Sequence, residues 1–330
     1  MNHEREITSE IDLCTPSGRL NPNAVGWSRR PLHRCNLRGW GRKKRWEYWA
    51  VQDEQKVLAV TVSDLDYAGL FAVWFSDPSG EEHVATGLQP VPRLSIPERA
   101  GRGEVSVRAK TLAISLQPLP EGLRLRASTP ELDADVHIER SPGHPSLGVV
   151  VPWSSSRFQY TVKETAMAAT GSVRLAGQEF SFAPPTAFAT WDFGRGKWPY
   201  RITWNWGSGA GHVDGHRVGL QFGGAWTDGT GSTENAVFID DTTHKISEDV
   251  EWRYEPGNWL APWQLSTRDG AVDLLFTPKR VRTDTTELGV IGNRTHQCFG
   301  VWSGRVAAPG APQLDVSGIP GWVEEVRNRW

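Results

Sequence analysis

Acidic, basic and amide side chains are interspersed among tryptophans in one short passage, WDFGRGKWPYRITWNW at 191–206. Asp192 lies between two aromatic residues. Burial among aromatic rings favours the neutral form of a carboxyl group and would suit Asp192 to the role of general acid. Arg195 could instead hold Asp192 ionised, in an ion pair that pins the glycine turn between them. Both interpretations place an ionisable group inside an aromatic environment.

A second set of carboxylates closes the chain in GWVEEVRNRW at 321–330. Either Glu324 or Glu325 could turn inward and join Asp192. Glycoside hydrolysis or a hydration needs such an acid and base pair. The alternative is a terminal helical turn whose glutamates pair with the arginines that follow. We take Asp192 and Glu324 as the candidate catalytic pair.

Glu234 and Asn235 follow a loop rich in glycine, threonine and serine, AWTDGTGSTEN. This polar pair could line the mouth of a pocket. Asn235 could equally cap the loop and begin the strand NAVFID.

Indole rings supply the apolar part of the same candidate site. Trp204 and Trp206 are two residues apart, so on a strand they share a face and Asn205 points the other way. Indoles stack on flat ligands and sugar faces, although packing within the core is the alternative for any one of them. We predict that a pocket is lined or rimmed by tryptophans and made polar by neighbouring groups, the set being Trp191, Arg195, Tyr200, Trp204, Asn205, Trp206, Glu234 and Asn235.

Two groups of residues have types that bind metals. In His212, Asp214 and His216 the spacing suits one face of a strand, but Asp214-Gly215 is a strong hairpin-turn signal that would break that face. Cys14, His33 and Cys35 suggest a zinc site, but they lack a Cys-x-x-Cys pair, and buried thiols of Cys14 and Cys35 in an N-terminal arm are the alternative. Phosphate-binding loops and dinucleotide glycine fingerprints are absent from the sequence. We therefore expect neither a metal nor another cofactor.

Composition limits the possible partners. The chain of 330 residues has 36 basic and 38 acidic side chains, so its net charge of −2 offers no footprint for nucleic acid. No apolar run is long enough for a transmembrane helix, and the N-terminus lacks an apolar signal core. Three cysteines argue against a disulfide scaffold. We expect a cytoplasmic protein without integral membrane association, while its oligomeric state stays open.

Period-2 alternation dominates the elements that must position these residues. GLRLRAS at 122–128 and EVSVRAK at 104–110 alternate apolar and polar side chains, and turn signals such as Asp77-Pro78-Ser79-Gly80 separate such runs. This pattern predicts an all-β chain. The one candidate for a helical turn is the tail, 321–330.

The strands are too numerous for one small barrel, and Pro184-Pro185 cannot lie inside a central strand. We predict an irregular N-terminal arm at 1–44, a first β-barrel-like domain at 45–185 and a second, tryptophan-rich one at 186–330. Eleven of the 17 tryptophans lie at 191–330.

Several stretches resemble the bacterial family known as domain of unknown function 2804. They are LCTPSGRLNPNAVGWSRRPLHRCNL (13–37), RKKRWEYW (42–49), DLDYAG (64–69), WDFGRGKWPYRITWNW (191–206), TEN (233–235) and GWVEEVRNRW (321–330). The family is similar in architecture to lipocalin-like carotenoid hydratases and tocopherol cyclases. The resemblance implies two consecutive lipocalin-like antiparallel β-barrel or curved-sheet domains.

Three functional hypotheses follow. The first is a tryptophan-lined site for a lipophilic or aromatic small molecule, at which the resemblance implies proton-initiated hydration, cyclisation or isomerisation with Asp192 as acid. The second is a non-catalytic carrier of a hydrophobic metabolite. The third is a carbohydrate-active protein that uses tryptophan platforms and a carboxylate pair.

Overall fold

The computed structural model describes residues 4–90, 94–289 and 291–329. Residues 1–3 of the predicted arm, 91–93, 290 and Trp330 lie outside the described residues. Strands account for nearly all regular structure in the described part, where one 3₁₀ turn at Pro22–Ala24 is the helix-type element. The prediction of an all-β chain made of two consecutive curved sheets is confirmed.

The first sheet is antiparallel and contains most of the strands up to residue 197. Its spatial order is β7-β6-β5-β4-β15-β13-β11-β10-β9-β8, with β12 and β14 on β13 and β2 on β12. The strands are β2 (Trp27–Ser28), β4 (Lys43–Gln52), β5 (Val57–Asp64), β6 (Gly69–Ser76), β7 (Glu82–Gln89), β8 (Val105–Arg108), β9 (Ala113–Leu119), β10 (Gly122–Ser128), β11 (Leu132–Glu139), β12 (Leu147–Ser154), β13 (Arg157–Leu175), β14 (Gln178–Phe182) and β15 (Phe188–Lys197).

The second sheet, also antiparallel, has the order β19-β18-β17-β16-β24-β23-β22-β21-β20. Its strands are β16 (Arg201–Val213), β17 (His216–Gly224), β18 (Asn235–Ile239), β19 (Thr242–Ile246), β20 (Glu251–Arg253), β21 (Trp263–Ser266), β22 (Val272–Leu288), β23 (Ile291–Val306) and β24 (Leu314–Arg329).

The chain passes from one sheet to the other between Lys197 and Arg201. The strand after Pro184-Pro185, β15, is hydrogen-bonded within the first sheet between β4 and β13. The division into domains at 185 and 186 stays a prediction.

The tail corrects one expectation from the sequence. Residues 321–329 form the end of the long strand β24, between β16 and β23, and not a helical turn. The tail is buried by both neighbours, and a strand lets its residues 322–326 pack on both sides of the sheet. Its backbone groups are satisfied by the sheet ladder.

The N-terminal segment lies over the first sheet with little regular structure. Two short parallel strands, β1 (Ile11–Asp12) and β3 (His33–Arg34), pair with each other, and Trp27–Ser28 adds to β12. This agrees with the irregular character expected of the arm.

The two sheets pack face to face through a shared aromatic layer. Ala50, Ala59 and Trp74 of the first sheet meet Trp206 and Trp322 of the second. Each sheet also has an apolar core on its other face. Strands β15 and β16, which join the sheets, are therefore buried on both faces along much of their length. Polar groups on the shared faces are removed from water and need partners inside the protein.

Candidate functional site

Asp192 lies on β15 and faces the second sheet. Its carboxylate accepts hydrogen bonds from Trp46 Nε1 at 2.9 Å and Thr161 Oγ1 at 3.1 Å, and Lys163 Nζ lies 3.1 Å from Oδ1. β4 and β13 flank β15, so the register places Lys163 directly opposite Asp192. Gly194 makes room for Trp46, because a Cβ there would lie 2.1 Å from its ring. Three neighbouring strands thus hold one carboxylate in a fixed position.

The second sheet brings two more carboxylates to Lys163. Glu234 Oε1 lies 3.5 Å from Lys163 Nζ, and Glu324 Oε1 accepts a hydrogen bond from Trp204 Nε1 at 3.0 Å. Lys163 Nζ also lies 3.9 Å from the centre of the Trp206 ring, which contributes a cation–π attraction. We call Asp192, Glu234, Glu324 and Lys163 the carboxylate cluster.

Burial changes the protonation of this cluster. The pKa of Glu324 is raised to about 7 because burial disfavours its charge, and the Asp192 charge adds to this against the Trp204 hydrogen bond and Lys163. The pKa of Glu234 is raised to about 7 by burial and by Asp192, against the opposing effect of Lys163. Burial works against the Lys163 charge, but Asp192 and Glu234 outweigh it and raise its pKa. Two carboxyl groups of the cluster can therefore give up or take a proton near neutral pH.

A group of five tryptophans covers one side of the cluster. Trp198 is its centre, with ring centroids 5.2 Å from Trp46, 5.7 Å from Trp204, 5.3 Å from Trp153 and 5.8 Å from Trp226. We call these residues the tryptophan group. The two members that donate to the carboxylates are half-buried.

A surface cavity of about 600 Å³ lies on the far side of the tryptophan group. Trp153 and Trp226 belong to its wall, together with Ile202 and a set of arginines. The Trp198 ring contacts both tryptophans of this wall and also the two indoles that bond Asp192 and Glu324. Cavities of this size suit small organic ligands.

Trp191 and Arg195 lie on the opposite face of β15 from Asp192. Arg195 is fully buried and donates to Glu47 Oε1 at 2.6 Å, and Trp191 Nε1 donates to Glu47 Oε2 at 2.6 Å. The ion pair between Asp192 and Arg195 that the sequence suggested is absent, because residues three apart on a strand point to opposite faces. Arg195 instead stabilises the core of the first sheet.

Trp204 and Trp206 share a face, as predicted, and Asn205 points the other way. Trp206 Nε1 donates to Gln221 Oε1 at 2.8 Å, and Asn205 Nδ2 donates to Tyr254 Oη at 3.2 Å. Tyr254 in turn donates to Glu325 Oε2 at 2.5 Å.

Both terminal glutamates are buried, on opposite faces of β24. Glu324 joins the carboxylate cluster, while Glu325 pairs with Arg327 at 2.8 Å on the Asn205 face. Glu324 and Glu325 are thus both withdrawn from water, and Glu324 is the one that turns toward Asp192.

The remaining predicted residues lie at the edge of this arrangement. Asn235 begins β18, accepts from Gly223 N at 2.9 Å and donates to Glu248 O at 3.1 Å, so its amide holds the loop. Tyr200 lies in the connection between the sheets and is 38% exposed. The catalytic and ligand-binding roles that the sequence analysis gave to Asn235, Tyr200 and the other site residues stay predictions.

The two groups of residues with metal-binding side chains lie in other surroundings than a metal site. β16 ends at Val213 and β17 begins at His216, so the hairpin turn expected at Asp214-Gly215 is present. His33 Nε2 lies 2.8 Å from Ala24 O, and the thiols of Cys14 and Cys35 are buried and free. Over residues 4–90, 94–289 and 291–329 no cluster of three or more histidine, cysteine, aspartate or glutamate residues could hold a metal ion.

Lys163, Trp46 and Trp198 were missed by sequence reasoning. Lys163 falls in the alternating run FQYTVKE, whose pattern predicts a strand but gives no sign that this lysine faces another sheet. Trp46 is 146 residues from its partner Asp192. The tryptophan excess was the one available signal for Trp46 and Trp198.

The fold and the site define a protein of two lipocalin-like curved sheets with ionisable groups between them. The chain belongs to the family DUF2804, a domain of unknown function, whose model matches residues 4–330. No curated protein matches the sequence. As a separate finding, no helix in the described ranges has the length and apolar character needed to cross a bilayer.

Two solved structures show the same fold. Kievitone hydratase from Nectria haematococca is 12% identical, with a TM-score of 0.55 over 88% of this chain and 89% of the other. A protein of Nitrosomonas europaea provisionally assigned as AttH (NE1406) is 12% identical, with a TM-score of 0.50 over 86% and 92%. At this identity the likeness concerns the fold alone.

Proposed function

We propose that this protein is an enzyme that binds a lipophilic or aromatic small molecule at the tryptophan group and catalyses its acid-assisted hydration, cyclisation or isomerisation. Glu324 donates the proton, and Asp192, fixed by Lys163, provides the charged partner. The observation that carries the proposal is the group of three buried carboxylates around one lysine, two of them with a pKa of about 7.

The electrostatics support an acid in this position. A carboxyl group with a pKa near the working pH is both protonated often enough to donate and basic enough to recover its proton. Three carboxylates cannot all ionise around one ammonium group without repulsion, so the cluster retains a proton at neutral pH. The donated proton stays on the substrate, and once water or an internal nucleophile has added to the cation, the proton that this nucleophile loses passes to the Glu324 carboxylate and restores the acid.

The aromatic surroundings suit the intermediate of such a reaction. Proton addition to a double bond leaves a cation, and indole faces attract cations, most strongly where water is excluded. Trp46 and Trp204 lie beside the two carboxylates to which they donate. A ligand in the cavity reaches these groups when the Trp198 ring moves aside.

The fold comparison agrees with this class of reaction. Kievitone hydratase is by its name a hydratase, and its fold is the one found here. Because a fold hosts many activities, the proposal depends on the carboxylate cluster and not on the likeness.

The test begins with native mass spectrometry of the protein purified from its own host, to identify a co-purifying small molecule. Turnover of that molecule and of a terpenoid and aromatic panel is then measured for the wild type, Glu324→Gln and Asp192→Asn. We expect both variants to retain ligand affinity and to lose at least about a hundredfold in turnover, the usual contribution of a general acid. Glu325→Gln on the opposite face is the matched control.

A carrier function is the second candidate, favoured by the cavity of about 600 Å³. It predicts that the ligand leaves the wild-type protein unchanged and that Glu324→Gln does not alter its fate. Oligosaccharide binding without any response to lipophiles would contradict both candidates.

A further inference from the structure

The cavity beside the tryptophan group has an unusual distribution of charge. Its lining includes Arg201, Arg294, Arg327 and Arg329, against the two acidic residues Asp228 and Glu287. The lining therefore carries a formal excess of two positive charges, in a chain whose net charge is −2. An excess of one sign inside a concave surface raises the local concentration of the opposite charge.

The arginines stand opposite each other across neighbouring strands. Arg201 on β16 is paired in register with Arg329 on β24, and Arg294 on β23 is paired with Arg327 on β24. Like charges directly opposite in a sheet are destabilising. Two such pairs in one cavity call for negative charge close by.

The protein neutralises one member of each pair. Arg329 Nη2 lies 2.7 Å from Glu287, and Arg327 Nε lies 2.8 Å from Glu325. Arg201 and Arg294 make no ion pair with any residue of the described ranges, and both are exposed. Among the described residues, each pair of arginines thus has one guanidinium group that is in no ion pair.

Another part of the wall is apolar. Trp153, Ile202 and Trp226 line it, and Trp153 Nε1 is already satisfied by Trp226 O at 2.8 Å. The Trp153 indole can therefore pack against an aromatic or aliphatic body without leaving its N–H unpaired. One cavity therefore combines an apolar wall with two guanidinium groups that form no ion pair within the described part of the chain.

We infer that this cavity takes an amphipathic anion, a small molecule whose carboxylate or phosphate group binds Arg201 and Arg294 while its apolar body packs on Trp153 and Trp226. Guanidinium groups bind both head groups with charge-assisted hydrogen bonds. This inference rests on the proposed function in one respect, namely that the ligand binds against Trp153 and Trp226 of the tryptophan group. It adds the chemical class of the substrate.

The test is isothermal titration calorimetry with three probes of one ring system: 1-naphthoate, 1-naphthyl phosphate and the neutral 1-naphthamide. The proteins are the wild type, Arg201→Gln, Arg294→Gln, Trp153→Leu and the control Arg268→Gln, an exposed arginine in a distant turn. Circular dichroism verifies that each variant is folded. The stronger of the two anionic probes identifies the head group.

We expect the anions to bind more tightly than the amide and to weaken with added salt. Each cavity arginine variant should lose about tenfold in anion affinity, the scale of one charge-assisted hydrogen bond, with the amide unaffected. Trp153→Leu should weaken all three probes and Arg268→Gln none. Equal binding of the three probes, anion affinity that does not depend on Arg201 and Arg294, or no binding of any probe would overturn the inference.

The outcome can be separated from that of the proposed function. Glu324→Gln should bind all three probes like the wild type. If the anion preference fails while Glu324→Gln still abolishes turnover, only the inference is lost. If the anion preference holds while Glu324→Gln leaves turnover intact, only the acid chemistry is lost.

Discussion

Replacing Glu324 with glutamine should stabilise the protein at alkaline pH. The pKa of Glu324 is raised from 4.5 to about 7 in the folded state, so the folded protein binds more protons than the unfolded chain between these pH values. Stability from this group is therefore complete below about pH 4.5 and is lost as the pH rises through 7. A rise of this size corresponds to about 3 kcal/mol.

Glutamine has the same shape and keeps an oxygen acceptor for Trp204 Nε1, but it has no charge to bury. We expect Glu324→Gln to match the wild type near pH 5 and to exceed its free energy of unfolding by up to about 3 kcal/mol at pH 8. Urea unfolding followed by circular dichroism at pH 5, 6, 7 and 8 measures the difference.

Glu325→Gln is the matched control. Glu325 is adjacent to Glu324 on β24, but its side chain points to the opposite face of the sheet. That change removes an ion pair with Arg327 and weakens the hydrogen bond from Tyr254, so it should destabilise the protein at pH 8. If Glu324→Gln shows no gain on going from pH 5 to pH 8, or if both variants respond alike, the assignment of a near-neutral carboxyl group to Glu324 is refuted.

Three other changes test the same arrangement. Lys163→Met removes the cation from the carboxylate cluster and should cost about 3–5 kcal/mol at pH 8 and less at pH 5, measured by urea unfolding; equal losses at both pH values would contradict the coupling. Gly194→Ala places a Cβ within 2.1 Å of the Trp46 ring and should lower the melting temperature and alter the near-ultraviolet circular dichroism of the tryptophans, whereas an unchanged spectrum would show that Trp46 does not pack there. Trp204→Phe removes the indole N–H that favours the charged form of Glu324, so its pKa should rise further, as carbon-13 nuclear magnetic resonance of the side-chain carboxyl can measure; an unchanged or lowered value would exclude that hydrogen bond.

The strands could be predicted because each has an apolar face toward a core. GLRLRAS alternates buried and polar positions in β10 as the sequence indicates. The secondary structure of the tail is harder to predict from the sequence. The apolar residues of WVEEV have a spacing that fits a helical turn as well as a strand buried on both sides. Only pairing with its neighbours β16 and β23 decides between them, and β16 is distant in sequence.

The candidate site was predicted in part. Asp192, Glu234 and Glu324 were each selected from the sequence, and the structure brings all three to Lys163. The lysine could not be found from sequence, since its importance arises from a sheet that covers it. Arg195 was grouped with Asp192 by closeness in sequence, although strand geometry sends the two side chains to opposite faces.

The way the sheets close has a consequence for synthesis on the ribosome. Lys43 pairs with Lys197, so the first sheet can be complete once residue 197 has emerged, whereas Arg201 pairs with Arg329 at the far end of the chain. At about 5–20 residues per second, the roughly 130 residues in between take on the order of 10 s to translate.

During that interval the aromatic face that carries Trp46, Tyr48 and Trp74 has no second sheet to cover it. The ammonium and carboxylate groups of Lys163 and Asp192, in the middle of that face, remain hydrated. Uncovered apolar surface promotes association, and a hydrated ion pair within it opposes that. We therefore expect Lys163 and Asp192, which the proposed chemistry uses in the finished protein, to reduce association of the growing chain.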